Sequence, residues 1–196
     1  MNTSNEVLLT AGRDPGDRTP APGSLRLVQA LVNTLSAEHE RDLLATTADA
    51  TAWLSAALLL PSAKPRLTAA ERSSLVALRE AIRAVLLANT ARREDPEAAS
   101  RLTLALASCR LGVQVDPAGG VGLVSADHDR LARVTGTLAV AMTEASTAGT
   151  WARLKCCQGH LCGWAFYDRS AAGRSVWCSM QLCGARAKMR AYRSRR

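Results

Sequence analysis

Aromatic side chains are scarce in this chain: seven of 196 residues, or 4%. A core so short of rings must be filled by aliphatic groups, and Ala and Leu dominate the 47% hydrophobic fraction. With few β-branched runs, that composition favours packed helices over extended sheet. Long apolar runs are also missing. Nothing approaches the roughly 20 apolar residues that a membrane-spanning helix needs. Met1 to Ser24 carries charges, prolines and glycines with no apolar centre, so it reads as a disordered leader rather than a secretory signal. A chain without an export signal is expected in a reducing cytosol, where clustered cysteines are metal ligands more often than disulfides. Catalytic signatures are absent too. No glycine-rich phosphate loop, HExxH or GxSxG occurs, and His39 and His128 each stand alone beside acids. Cys109 falls late in an Ala/Leu-rich segment and reads as a small buried residue, not a nucleophile. The chain is therefore expected not to be an enzyme.

What is present is unevenly placed. Six of the seven aromatics follow residue 150, with Trp53 the exception. Residues 151–196 hold ten Lys/Arg and one acid, Asp168, a net of +9. Residues 1–150 carry the other fifteen bases and sixteen acids, a net of −1. The positive charge of the chain thus belongs to its last 46 residues, and a localised basic patch points to a polyanionic partner. The organisation expected is a leader over 1–24, a helical domain over 25–150 and a small basic module over 151–196.

Within the helical domain, apolar spacing predicts a short helix over Leu25–Leu35 and a second over Asp42–Leu60, which offers Leu43, Leu44, Trp53, Leu54 and Leu58 for burial. Pro61 and Pro65 bracket a loop. Thr68-Ala-Ala-Glu71 is a capping box. The helix it opens, about 68–91, places Leu75, Leu78, Ile82, Val85 and Leu86 on one face. Asp95-Pro96 starts a further helix to about Cys109. Leu111–Val115 and Val121–Val124 flank a turn-rich pentapeptide, which predicts a hairpin. Asp127 is expected to cap a long helix to about Ala148, burying Leu131, Val134, Leu138 and Met142, with Gly149 ending it.

The tail carries the chemistry. Cys157/Cys162 and Cys178/Cys183 form two Cys-x4-Cys pairs fifteen residues apart. Zinc favours tetrahedral thiolate coordination, and four protein ligands leave no open position, so the ion expected is structural. Cys156 could replace Cys157, and His160 could stand in for a sulfur. Equal spacing favours Cys157, which leaves Cys156 as a spare, oxidation-prone thiol beside Lys155. A module this small needs a metal staple and bulky fillers. Trp164, Phe166 and Trp177 are expected to pack around the ion on a hairpin turning at Ala171-Ala172-Gly173. Met180–Arg193 reads as a helix with an apolar stripe, Leu182, Ala185, Met189 and Tyr192, beside a basic one. Arg174, Arg186, Lys188, Arg190 and Arg193 are the candidate DNA contacts, through phosphate or guanine edges.

These tail residues resemble the CGNR zinc-finger proteins. The matching stretch is Cys157-x4-Cys162-Gly-Trp-Ala-Phe-Tyr-Asp-Arg-Ser, then Trp177-Cys178-Ser-Met, then Cys183-Gly-Ala-Arg-Ala-Lys. In that family a C-terminal finger follows a helical ABATE domain, and Leu31-Val-Asn-Thr-Leu35 is similar to a segment near the ABATE start. Ala185 stands where the family has Asn, and Ala30 where it usually has an acid. The resemblance implies a bacterial, stress-induced transcription regulator: mainly α, with a helical N-terminal domain bearing one small β-hairpin, then a zinc-stapled hairpin-plus-helix. It would bind DNA through the finger, in the cytoplasm at the nucleoid. The N-terminal domain would dimerise, sense a small-molecule effector, or both. The other readings are a protein-interaction adaptor and an RNA binder that use the same basic module.

Overall fold

The structure is a computed structural model and describes residues 20–57, 59 and 66–195. Among these, six α-helices, three two-stranded antiparallel hairpins and short 3-10 and π turns are arranged in a mainly α fold. Of the expected leader, residues 1–19 lie outside the described residues. Ala21 is buried in the core, and its N–H donates to Gln29 Oε1 at 2.7 Å.

Helix α1, Leu25–Val32, stops three residues before the expected end. Leu35 instead enters β1, Leu35–Ser36, which pairs with β2, Arg41–Asp42. This exchange explains why Asp42 begins no helix. Its carboxylate accepts from Arg79 at 2.6 and 3.1 Å and from the Leu44 N–H at 2.8 Å. Helix α2, Thr47–Ala56, opens later, on a capping box formed by Thr46 and Asp49. Leu44, Trp53 and Leu54 are buried as expected. Leu43 is half-buried, and Leu58, Pro61 and Pro65 lie outside the described residues.

Helix α3, Ala69–Ala91, is the spine of the fold. Its 23 residues reach about 34 Å at the α-helical rise. The box at its start forms as the sequence predicts: Thr68 Oγ1 accepts from the Glu71 N–H, and the Glu71 carboxylate accepts from the Thr68 N–H. Leu75, Leu78, Ile82 and Leu86 are buried along one face, while Val85 is half-buried. Helix α4, Pro96–Leu106, packs against α3 and is capped by Asp95, whose carboxylate accepts from the Ala98 N–H at 2.9 Å. It ends before Cys109, which sits half-buried in the turn that follows, not in a helix.

Strands β3, Leu111–Val115, and β4, Val121–Ser125, form the expected hairpin in register from Leu111↔Ser125 to Val115↔Val121. Helix α5, Arg130–Thr147, is capped by Asp129, whose carboxylate accepts from Leu131 and Ala132 N–H. Asp127 is occupied elsewhere. It accepts from the Arg110 N–H at 2.6 Å and so closes the base of the hairpin. Val134, Leu138 and Met142 are buried and Leu131 is half-buried. Gly149 follows the helix with φ +68, a left-handed conformation that glycine adopts without strain.

A third hairpin, β5 Leu154–Cys156 and β6 Ala165–Tyr167, lies against α3 and α1. Leu154, Cys156 and Ala165 belong to the same buried cluster as Leu31, Leu75 and Leu138. The hairpin backbone is gripped by side chains from both helices. Asn33 accepts from the Ala165 N–H at 2.7 Å and donates to its carbonyl at 3.0 Å, and Gln29 donates to the same carbonyl. Thr90 Oγ1 accepts from the Cys156 N–H at 3.0 Å and lies 2.7 Å from its carbonyl. Asn89 donates to the carbonyls of Trp151 and Leu154. These side chains satisfy backbone groups that no further strand among the described residues pairs, and buried backbone groups left unpaired are costly. None of the helices among the described residues is long and apolar enough to cross a membrane.

Candidate metal centre

The β5–β6 connection is the first half of the site. The ladder extends one step beyond β5, with the Cys157 N–H donating to the Trp164 carbonyl at 2.9 Å. The chain then turns tightly: Cys162 N–H donates to the Gly159 carbonyl, and Leu161 and Gly163 take φ of +60 and +57. Gly159 is required for a different reason. A Cβ there would lie 3.1 Å from Cys183 Sγ and 3.2 Å from Cys162 Cβ, so only glycine lets the second cysteine pair approach this turn closely. The Gly159 N–H donates to Cys157 Sγ at 3.3 Å, a contact that favours a thiolate.

The second half follows Trp177. Ser179 caps a π turn, Met180–Gly184, by accepting from the Leu182 N–H. Cys178 and Cys183 flank this cap. The four Sγ atoms of Cys157, Cys162, Cys178 and Cys183 lie within 4.8 Å of one another. Cys162–Cys178 and Cys178–Cys183 are each 3.6 Å apart. Tetrahedral zinc with Zn–S near 2.3 Å needs sulfurs about 3.8 Å apart. Hydrogen bonding to the neighbouring Cys157 and Cys162 sulfurs, together with burial, pushes the Cys178 thiol up. Number, donor type and spacing fit one structural zinc ion.

The choice among candidate ligands follows from geometry. Successive strand residues face opposite sides. Cys156 therefore points into the main core and Cys157 to the metal cluster. Burial pushes the Cys156 thiol up to about 12, so it is not the oxidation-prone thiol expected from sequence. His160 is exposed and outside the ligand group. Trp164 and Phe166 are buried against the cysteines and Trp177 is half-buried there, as expected. The hairpin that carries them does not turn at Ala171-Ala172-Gly173. That turn lies after β6, closed by Gly173 N–H to the Ser170 carbonyl, and the metal ligands Cys157 and Cys162 sit in the true hairpin loop.

An ion pair that sequence reasoning missed holds the 168–175 loop. Lys155 and Asp168 are each 2% exposed. Lys155 Nζ donates to Asp168 Oδ2 at 2.8 Å and to the carbonyls of Gly173 and Ser175. Asp168 also accepts from Ser170 N–H and Oγ and from the Ser175 N–H. Burial alone would push the Asp168 carboxyl up, but Lys155 and the serine hydrogen bonds hold it well below the usual range. The one available signal was compositional: Asp168 is the sole acid among ten bases. Arg83, from α3, was missed as well. It donates to the carbonyls of Gly163 in the knuckle and Val32 at the end of α1, and it is itself held by Glu80.

Helix α6, Ala185–Arg193, leaves directly from the π turn. Arg186, Lys188, Arg190 and Arg193 are exposed on it, and Arg174 is exposed on the preceding loop. Arg186 is paired with Glu38 of the 3-10 turn Ala37–His39. The apolar stripe is not buried. Leu182 is half-buried, while Ala185, Met189 and Tyr192 are exposed. The main packing of α6 is against the π turn.

A helical domain whose last hairpin and helix are stapled by four cysteines is a zinc-finger protein in class. Its C-terminal part, residues 153–196, matches the CGNR zinc finger. Residues 25–149 match the ABATE family, described as "Putative stress-induced transcription regulator". That match spans well over half of the chain, and the chain belongs to the ABATE family. No curated protein matches it.

Proposed function

We propose that this chain is a DNA-binding transcription regulator that contacts DNA through α6 and the loop before it. The observation that carries the reading is the exposure of Arg174, Lys188, Arg190 and Arg193, with no acid between 169 and 196, on a segment anchored by Cys178 and Cys183. An anchored row of guanidinium groups loses little freedom when it grips phosphates, and arginine forks suit both phosphate and guanine. Arg186 joins them when DNA displaces Glu38. The zinc ion is a structural staple, and the chain is not an enzyme. It acts in the cytoplasm on the nucleoid. The N-terminal domain dimerises, senses a small molecule, or both. Support for dimerisation is the exposed face of the β3–β4 hairpin, Val113, Val115 and Val121.

The test is binding of the zinc-loaded chain to duplex DNA, titrated against salt. Each phosphate contact should contribute about −0.9 to the slope of log K against log salt. Arg190→Ala/Arg193→Ala should make the slope shallower. A salt-independent response would overturn the reading. A protein-interaction adaptor is the second reading, favoured by the exposed Met180, Met189 and Tyr192 along α6. Capture of a partner that survives nuclease treatment, without DNA binding, would support it.

A further inference from the structure

A second basic site lies away from α6, where the helical domain meets the tail. The end of α3 and the 171–173 turn enclose a cleft of about 490 Å³, bordered by Arg92, Arg93, Glu94, Arg153, Ala172 and Gly173. Arg92 and Arg93 are exposed, and neither side chain has a partner among the described residues. Arg153 also lines the cleft, and one of its nitrogens donates to the carbonyls of Asp168 and Ser170. Lys155 reaches the lining but is committed to Asp168, and Glu94 is the one carboxylate at the rim among the described residues. Three guanidinium groups against one carboxylate leave the cleft cationic. Gly173 borders it, and the next residue is Arg174, so the cleft continues the tail's basic loop.

Arg92 ends α3 in the left-handed conformation, φ +54, the position where glycine is usual. This residue closes the helix, with cap N–H groups bonded back to the Ala88 and Asn89 carbonyls.

We propose that this cleft receives a backbone phosphate of the bound DNA, with Arg92 and Arg93 as phosphate contacts supplied by the helical domain. The proposal rests on the DNA-binding reading. It assigns to the ABATE part of the chain a share in DNA affinity that its near-neutral composition hides. Arginines grip phosphate through several parallel N–H donors, and such phosphate contacts carry no base information, so they act alike on every sequence.

The test uses the full zinc-loaded chain and the variant Arg92→Gly/Arg93→Gln. Glycine suits the left-handed position, so the fold should be kept, which thermal melting checks. Fluorescence anisotropy on two unrelated duplexes should show a several-fold loss on both, and a salt slope shallower by about 0.9, one phosphate contact. Wild-type binding with an unchanged slope in the variant overturns this proposal and leaves the α6 reading intact. No duplex binding by the wild type overturns both. A parallel arm melts both proteins in inorganic pyrophosphate. Stabilisation lost in the variant, with DNA binding unaltered, would assign the cleft to a small phosphorylated ligand and overturn the DNA contact.

Discussion

Replacing Asp168 with Asn is the sharpest probe of how the tail is held. The side chains are nearly the same size, so packing is kept while the charge is removed and one acceptor oxygen becomes an NH2 donor. The amide oxygen of the Asp168→Asn variant can still accept from Ser170 or Ser175, but Lys155, 2% exposed, loses its counter-charge at 2.8 Å. Breaking a buried pair from one side costs about 3–5 kcal/mol. For a chain of this length each kcal/mol moves the melting temperature by about 2–4 °C, which gives a fall of about 10 °C. The loop between Asp168 and Ser175 should loosen with it, and zinc affinity should fall because Cys178 follows that loop. The assay is thermal unfolding of zinc-loaded protein, with a competing chelator to read affinity. The companion variant is Lys155→Met/Asp168→Asn. It removes the stranded ammonium, although the Gly173 and Ser175 carbonyls lose a donor. It should be more stable than Asp168→Asn alone. An Asp168→Asn protein that melts within about 2 °C of wild type, or a double variant less stable than the single one, would refute a charge-based role for the pair.

Chelating zinc should lower the unfolding midpoint of the helices as well as the finger, because Leu154, Cys156 and Ala165 belong to the shared core. Tryptophan fluorescence and far-ultraviolet circular dichroism should report one transition, and separate transitions would contradict this. Thr90→Val should cost about 1–3 kcal/mol in urea unfolding, since it strands the Cys156 N–H. A cost under about 0.5 kcal/mol would mean that water replaces the hydroxyl. The Arg130 guanidinium holds Glu71 down to about 2, against an ordinary 4.5, with burial opposing. A depressed carboxylate contributes stability that is full above its unfolded value and lost as pH falls through its folded one. Wild type should therefore lose stability between pH 4.5 and about 2. Arg130→Met should lose less over that window in urea titrations, and an identical acid limb in both proteins would remove Glu71–Arg130 as a source.

Much of the fold was written locally. The Thr68–Glu71 box, the Asp95-Pro96 start and the two runs around Asp116–Gly120 each satisfy their own backbone groups within a few residues, so reading along the chain finds them. So does the Cys-x4-Cys spacing, because four thiolates so close in sequence have one common chemical use in a reducing setting. Local signals misled where two candidates compete for one role. Asp127 is the cap expected from sequence, and Asp129, two residues on, carries the same side chain. The hairpin base takes the first, through the Arg110 N–H, and leaves the second for α5. Cys156 and Cys157 are chemically equal, and strand alternation sends one to the core and one to the metal.

Residue type and short spacing were enough to specify the zinc ligands' chemistry, the charge division and most of the helices. Packing in three dimensions settled what those pieces share. Asn33, Arg83 and Thr90 have no motif, yet they hold the metal-binding hairpin by its backbone across separations of 132, 80 and 66 residues. Lys155 and Asp168 become a buried pair only once β5 and β6 lie side by side. Arg92 and Arg93 come from a part of the chain with no excess charge, and only packing brings them beside the basic tail. Contacts of that range carry no periodicity for a sequence to display, because they depend on where helices meet, not on what lies next along the chain.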